Sequence, residues 1–571
     1  MPVLGIWDGH DAGAAVVEET EGRILCAANE ERFTRRKLEV GFPEGAIAAC
    51  LSEAGLESKD VGEVAISTFD PAKTLTRVFP SLKESYYLLR RRKVPPRALD
   101  PWKRAFKHES TTWPPNGLTR RVSERALARD LAAVGLSRAR IRWTHHHRAH
   151  AATAAYTSGL DPALVLTLDG VGDGLSGTIS TFSEGKLSLL SKVGARDSFG
   201  IFYEMVTRLL NMRELEDEGK VMALASYGYA PADGRNPLLG LFEIEGTRVR
   251  CRLSPRQVQR FLARELSMMP SEQFAFLAQE TLETKVVELA RNALQATGLR
   301  HIAYAGGVAS NIHVNRKLRA LSGCEGLFVF PHMGDGGLAL GAALARAVEK
   351  TSQRSYPLGD LRLGPALGEG EIEAALRSSG VCFERIADPA LEAARRIAAD
   401  EVVFWFQGRM EYGPRALGGR SILGRPDRET LRDRLNLKLK RRVWYQPFCP
   451  SILDEEAERL LEGGATKNRY MTMAYEVRPR SRDLLRGVIS RDGTCRPQMV
   501  DESYGIYHRL LAAVRDAIGV GAVLNTSFNL HGEPLVATPA QAIDCFLRSG
   551  ADVRDVLIMG DFRMKHPGAR A

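Results

Sequence analysis

Apolar and polar positions alternate in short blocks at the start of the chain. "VLGIW" and "GAAVV" are wholly apolar and flank "DGHDA", so residues 3–17 read as strand, turn, strand. "RILCAANEERFTRRK" begins as a third strand. "FPEGAIAACLSEAGL" then places its apolar residues at helical spacing and stops at a glycine. From residue 164 the β pattern returns in "LVLTLDGVGDGLSGTISTF", again a strand, a Gly/Asp turn and a strand. This echo of the opening hairpin predicts a duplicated α/β core. "EQFAFLAQETLETKVVELARNALQATG" reads as a long amphipathic helix. "HIAYAGGVASN" and "LFVFPHMGDGGLALGAALARAVEK" each predict a short strand, a glycine turn and a helix.

Two stretches interrupt this alternation. In residues 73–142, prolines in "LLRRRKVPPRALDPWKR" and "TTWPPNG" break short basic helices, and the segment reads as an insertion on the core fold. "TSQRSYPLGDLRLGPALGEGE" is rich in Gly, Pro and Ser and predicts a domain boundary. The expected organisation is 1–355 for the first domain and 356–571 for a second α/β unit. No solenoid period is visible, and no apolar run approaches the ~18 residues of a membrane span. The opening segment lacks a basic leader and a long apolar stretch, so it reads as a first strand and not a signal peptide.

Composition changes this picture in two places. The chain has 571 residues, 44 % hydrophobic and 26 % charged, as in ordinary globular proteins of several domains. Its net charge of +10 is concentrated: residues 73–142 hold 18 Lys/Arg against five Asp/Glu. An anionic partner is therefore to be sought at that insert. The eight cysteines form no CxxC pair. This argues against thiolate zinc modules and a disulfide framework, and for a cytoplasmic protein with free thiols.

The densest chemistry lies in "THHHRAHAATAAY". His146 and His150 stand four residues apart, so on a helix both imidazoles share one face and suit one metal. A pair of surface or capping histidines is an equal reading until carboxylates join them. Asp169 in "LTLDG" and Asp335 in "HMGDGG" lie in turns after apolar strands and are the candidates. Such a set leaves positions open on Fe(II), Zn(II) or Mn(II). The glycine turns "DGHDAG", "DGVGDG", "AGGVASN" and "GDGG" offer unobstructed backbone N–H groups, as phosphates prefer. His10, between Asp8 and Asp11, is suited to take a proton from a hydroxyl near neutral pH. In the second half, "QGRMEYGPRALGGRSILG", Lys440 before an aromatic run, Arg496 in "CRPQ", and Asn525, Ser527 and Asn529 in "LNTSFNLHGEP" together describe an oxyanion pocket.

These motifs, with "HHRAHAATAAY", "SFGIFYEMVT" and "EGKVMALASYG", resemble the O-carbamoyltransferase family of nodulation-factor, cephamycin and tobramycin carbamoyltransferases. The resemblance covers nearly the whole chain apart from the basic insert. It implies an α/β fold: an N-terminal actin/sugar-kinase/Hsp70-like domain, close to the tRNA threonylcarbamoyl-transferase subunit, and a C-terminal YrdC-like domain. It implies that the second domain makes carbamoyl-adenylate from carbamoyl phosphate and ATP, with Mg(II). The first would then transfer the carbamoyl group to a hydroxyl of a sugar or natural-product acceptor. By this resemblance His146, His150, Asp169 and Asp335 hold an iron-type metal, with Fe(II) favoured, and His10 is the general base with Asp8 beside it. Gly200, Glu204, Lys220, Gly306, Gly307 and Asn311 fit the nucleotide; Arg415, Lys440, Arg496, Asn525 and Ser527 fit carbamoyl phosphate and ATP. A homodimer is compatible with the resemblance.

The basic insert suggests an anionic acceptor, with Tyr86, Tyr87, Trp102 and Trp113 able to stack on rings; a solvated surface without a ligand is an equal reading. Rival readings are a sugar kinase of the same N-terminal fold, a tRNA-modifying threonylcarbamoyl-transferase-like protein, and a non-catalytic scaffold. The HxxxH pair, the fused second domain and the filled motif positions weigh against them, and nucleic acid is not an expected partner.

Overall fold

Two five-stranded sheets repeat one topology. In the first, β1 (Val3–Trp7), β2 (Gly13–Val17) and β3 (Ile24–Asn29) form an antiparallel meander, and β4 (Glu63–Ser67) and β5 (Arg140–Thr144) add in parallel beyond β1. In the second, β6 (Ala163–Gly172), β7 (Leu175–Ser183) and β8 (Lys186–Gly194) form the meander. β9 (Phe242–Glu245) and β10 (Arg248–Cys251) make a separate hairpin, and β11 (His301–Ala305) and β12 (Gly326–Val329) complete the second sheet in parallel beyond β6. Each sheet thus runs third, second, first, fourth, fifth. This is the duplicated α/β core expected of an actin/sugar-kinase-like fold.

The computed structural model describes residues 2–571 except 96–105, 107, 108, 233, 567 and 569–571. Trp102, expected to stack on a ligand, lies outside the described residues.

The two opening turns match in detail. Each follows the first strand of its sheet, and each contains an aspartate in the left-handed region, Asp11 at φ 56° and Asp173 at φ 54°. A short polar side chain tolerates that region where a β-branched one would not. The alanines after the histidine cluster serve helix packing. At Gly341, on the helix Leu338–Lys350, an added Cβ would lie 2.7 Å from the Ala149 carbonyl carbon, so the helix His146–Thr157 approaches to backbone contact. Asp335, just ahead of that second helix, is thereby brought toward the histidines.

Contacts divide the chain into two units, Met1–Glu30 with Leu38–Leu358, and Glu31–Lys37 with Gly359–Ala571. The sequence reading placed residues 31–37 wholly in the first domain. Within the second unit, Arg32 instead donates to the Gly413 carbonyl at 2.6 Å and Arg35 to the Leu535 carbonyl at 2.6 Å. An eight-stranded mixed sheet forms this unit's centre. Its strands are β13 (Phe383–Arg385), β14 (Val403–Phe406), β15 (Arg420–Gly424), β16 (Cys449–Leu453), β19 (Gln498–Val500), β20 (Ala522–Ser527), β21 (Val556–Met559) and β22 (Phe562–Lys565), while β17 (Tyr475–Glu476) and β18 (Thr494–Cys495) pair separately. Among the described residues no helix is long and apolar enough to cross a membrane.

Candidate functional site

The helix His146–Thr157 is pinned at its start. Asp173 accepts the His146 N–H at 2.8 Å and is itself bonded by the Thr68 hydroxyl; His145 accepts the His147 N–H at 3.3 Å. His147 turns into the core, bonded to Thr167 Oγ1 at 3.0 Å and the Leu175 carbonyl at 3.1 Å. His146 and His150 face the other way. His146 Nε2 lies 3.1 Å from Asp169 Oδ2 and 3.7 Å from Asp335 Oδ1; His150 Nε2 lies 3.8 Å and 3.7 Å from the same atoms. One donor atom of each of the four residues lies within 4.8 Å of all the others.

His150 Nε2 is buried with no hydrogen-bond partner. A buried, orphaned imidazole nitrogen aimed at two carboxylates fits a missing cation, and two nitrogens with two oxygens suit a borderline divalent ion. Asp169 Oδ1 accepts the Gly307 N–H at 2.7 Å, which fixes the carboxylate from behind. Burial opposes charge on His146, yet Asp335 and Asp169 raise it to about 9. Burial likewise works against the Asp169 carboxylate, but the two imidazoles hold it well below the usual carboxylate range.

His10 joins this group through Asp335, its Nδ1 lying 3.5 Å from Oδ2, while Tyr87 packs on its ring with centroids 5.1 Å apart. The Asp8 carboxylate takes two bonds from Arg77, at 2.8 and 3.0 Å, and lies 2.9 Å from Lys73 Nζ; Lys83 donates to its backbone carbonyl. Burial raises the Asp8 pKa, but Arg77, Lys73 and Lys83 together carry it well below the usual value. Asp8, read as standing beside the base, is therefore also the counter-charge of a buried cationic cluster.

That cluster also revises the basic segment. Its helices Pro71–Val78 and Pro80–Arg90 supply Lys73, Arg77 and Lys83. Arg90 pairs with Glu204 and, at 3.4 Å, with Glu214; Arg91 meets Glu216 at 2.6 Å; Arg92 donates to the Asn211 carbonyl at 3.0 Å. The first five of these cations neutralise or bind buried or half-buried groups, while Arg92 stays exposed. Tyr87 is buried, whereas Trp113 is 47 % exposed.

The residues expected at a nucleotide have varied roles. Gly200 lies so close to the Asp169 carbonyl that a Cβ there would sit 2.6 Å from its oxygen. Gly306, at φ 95°, donates to the Met333 carbonyl at 2.8 Å. Asn311 caps the helix Ile312–Arg319 and exchanges bonds of 3.0 and 2.9 Å with Gln279. Lys220 pairs with Asp217 at 2.9 Å. Glu204 is held by Arg90, and burial raises its pKa.

In the second unit the three arginines of "QGRMEYGPRALGGRSILG" divide sharply. Arg409 donates to the Gly364 and Leu363 carbonyls at 2.8 and 2.9 Å, and the fully buried Arg420 donates to carbonyls of Gln407, Gly408 and Gly419, each at 3.0 Å. Glu411 folds the loop between them by accepting the N–H groups of Leu417, Gly419 and Arg420 at 3.0, 2.7 and 2.9 Å. Among the described residues, Arg415 alone of the three donates to no carbonyl. Burial, and then Arg496, push it down to about 9. Arg496 donates through Nε and Nη2 to Cys449 Sγ at 3.1 and 2.9 Å. Asn525, directly across from Cys449 in the β16–β20 register, donates to Ala416 O, Ser451 Oγ and Tyr507 OH, while its Oδ1 is buried without a partner. Lys440 stands apart from this group. Its ammonium donates to Asn529 O and Oδ1 at 2.9 and 2.8 Å and to the Ser527 carbonyl, and burial pushes it down to about 7. Ser527 Oγ donates to Asn529 Oδ1 at 2.7 Å.

Sequence reasoning missed Arg77, Lys73, Lys83, Asp173, Glu411 and Cys449. Only the density of charge around residue 80 could have hinted at the first three, since nothing in the sequence couples them to Asp8.

Comparison with known proteins adds an independent line. Family models described as Carbamoyltransferase N-terminus and Carbamoyltransferase C-terminus match residues 2–344 and 394–566. The first span encloses the basic segment that the sequence reading set apart as unmatched. The nodulation protein NolNO of Sinorhizobium fredii is 33 % identical over 570 residues, 97 % of this chain and 79 % of that protein. The nodulation protein NolO of Bradyrhizobium diazoefficiens is 35 % identical over 437 residues, 74 % of this chain and 78 % of that protein. Among solved structures, full-length HypF in its phosphate- and nucleotide-bound form is similar at 12 % identity and a TM-score of 0.36, covering 62 % of this chain and 47 % of that one. That last likeness is too loose to carry weight.

Proposed function

This chain belongs to the carbamoyltransferase family, and from that premise we propose that it is an ATP-dependent O-carbamoyltransferase acting in two steps. The second unit, read as YrdC-like, converts carbamoyl phosphate and ATP to carbamoyl-adenylate, phosphate and pyrophosphate. The first unit transfers the carbamoyl group to a hydroxyl of a small-molecule acceptor and releases AMP. The observation that carries the reading is the convergence of His146, His150, Asp169 and Asp335, with His10 on the same Asp335.

A divalent ion held by those four residues, Fe(II) in this proposal, supplies Lewis acidity toward a carbonyl oxygen. His10 is the imidazole beside the cluster that is not a ligand, and it takes the proton of the attacking hydroxyl. Asp335 orients His10 and stabilises its protonated form. Gly200, Gly306 and Gly307 keep side chains off the backbone beside Asp169, where the nucleotide would come closest. Arg90 holds Glu204 in place for the ribose. In the second unit Arg415 and Arg496 bind the phosphate and Mg(II)-ATP oxyanions. Asn525 Oδ1, a buried acceptor without a donor, suits the amide N–H of a carbamoyl group. Lys440 secures the Ser527–Asn529 turn.

Internal pairing of Lys73, Arg77, Lys83, Arg90 and Arg91 takes those five cations out of the support for an anionic acceptor or tRNA. The test is product analysis: protein, carbamoyl phosphate and ATP with a panel of hydroxylated metabolites. AMP, pyrophosphate and an acceptor heavier by one carbamoyl group are expected. ADP formation in place of AMP would overturn the reading in favour of a kinase.

A further inference from the structure

Cys449 begins β16 at the floor of a cup whose walls are arginines. Cys449 is 8 % exposed, while Arg415, Arg442 and Arg496 are half-buried. Arg496 presents two N–H groups to the sulfur, at 3.1 and 2.9 Å. Arg442 is anchored by Asn436 Oδ1 at 2.6 Å and lies over the Phe448 ring at 4.1 Å. Among the described residues, no carboxylate pairs with any of the three guanidinium groups. A guanidinium fork normally takes two oxyanion oxygens; here it rests on a thiol, a weak acceptor. The second unmet group is across the strand pair. Asn525 is 2 % exposed and directly opposite Cys449, and its Oδ1 has no partner. Opposed residues of an antiparallel pair project to the same face. The floor of the cup therefore combines a nucleophilic sulfur, an uncompensated positive field and an acceptor lacking an N–H.

We propose that Cys449 is a covalent modification site for anionic electrophiles, cyanate among them. The arginines concentrate the anion at the sulfur, so selectivity comes from attraction of the reagent. Cyanate held at the arginines takes one proton from solvent to give isocyanic acid, and the sulfur adds to its carbon. An S–C bond forms, the C=N π pair moves to nitrogen, nitrogen receives the thiol proton, and nothing leaves. The product, an S-carbamoyl group, carries the N–H donor that Asn525 Oδ1 lacks. With iodoacetate an S–CH2 bond forms as the C–I bond breaks, iodide departs, and the thiol proton passes to solvent. Either adduct fills the cup and removes Arg496 from other anions.

The experiment uses the full-length protein and Cys382, the exposed thiol, as internal reference. Alkylation rates by iodoacetate and by neutral iodoacetamide are followed at each cysteine by peptide mass spectrometry. The ratio of iodoacetate to iodoacetamide rates should be higher at Cys449 than at Cys382, on the order of tenfold. Inorganic phosphate should slow labelling at Cys449 and leave Cys382 unaffected, and cyanate should leave an S-carbamoyl group at Cys449. Arg496→Gln should bring the Cys449 ratio down to that of Cys382. Equal ratios at the two thiols in the wild-type protein, or no protection by phosphate, would overturn the proposal without recourse to any variant. One consequence rests on the function proposed above: labelled protein should lose carbamoyl phosphate-dependent ATP–pyrophosphate exchange. Labelled protein that keeps this exchange leaves the thiol site standing and overturns instead the assignment of the cup to adenylate formation.

Discussion

Gly307→Ala tests whether Asp169 is held to the tolerance a metal demands. Gly307 donates its N–H to Asp169 Oδ1 at 2.7 Å. A Cβ added at Gly307 would lie 2.8 Å from that oxygen; the tightest contacts real Cβ atoms make are near 3.0 Å and ordinary contact begins at 3.4 Å, so the carboxylate or the turn must yield between 0.2 and 0.6 Å. Metal–ligand distances tolerate only about 0.2 Å. The displaced ligand should weaken divalent-metal affinity by about 10- to 100-fold, the range for disturbed supports of ligands. That corresponds to ~1.4–2.7 kcal/mol, with an overpacking penalty of about 1–3 kcal/mol on the fold. The assay strips the protein of metal, then titrates it anaerobically with Fe(II) and separately with Zn(II) by calorimetry. Gly240→Ala, where an added Cβ meets nothing within 4 Å, is the control and should bind as wild type. An affinity for Gly307→Ala within twofold of wild type, with the variant folded, would refute the argument that Asp169 is a ligand braced from residue 307.

His150→Ala should abolish the metal-dependent rise in melting temperature; the wild type at a hundredfold excess over Kd should gain about 2.7 kcal/mol, and an equal gain in the variant would exclude this site. Arg77→Met should destabilise the first unit by about 3–5 kcal/mol in urea unfolding, because Asp8 is left buried beside fewer cations. Adding Asp8→Asn should recover part of that loss, and a strictly additive double variant would count against the pair. Burial, and then Glu204, raise Glu218 from 4.5 to about 8. The folded state thus holds its proton more tightly than the unfolded chain. The resulting stability is complete below pH 4.5 and fades as pH rises through 8. Glu218→Gln should therefore flatten the fall in melting temperature between pH 5 and about 8.5, and an unchanged slope would dismiss the shift.

Much of the first unit was legible because its signals are local. Apolar runs of strand length around Asp/Gly turns announced both meanders, and their duplication followed from the repeat of "DGHDAG" in "DGVGDG". The i, i+4 spacing of His146 and His150 by itself puts both imidazoles on one helical face. The fate of the basic segment was not legible. Periodicity and charge density treat Arg90, Arg91 and Arg92 as a solvated run. Each instead finds its partner more than 100 residues away, at Glu204, Glu216 and Asn211. The surroundings of Asp8 were hidden for the same reason, since Arg77 and Lys73 reach it from the helix Pro71–Val78, more than 60 residues along the chain.

The chain's own order of residues therefore determined the elements and supplied the donor types, since strand alternation, helical spacing and turn chemistry act within about ten positions. Only the tertiary structure decided which charges meet. The backbone contact at Gly341 and Ala149 carries Asp335 to the histidines, and the glycine loop closed on Glu411 buries Arg420. Charge pairing acts across space and is set by which helices can approach. Sequence spacing does not encode that distance.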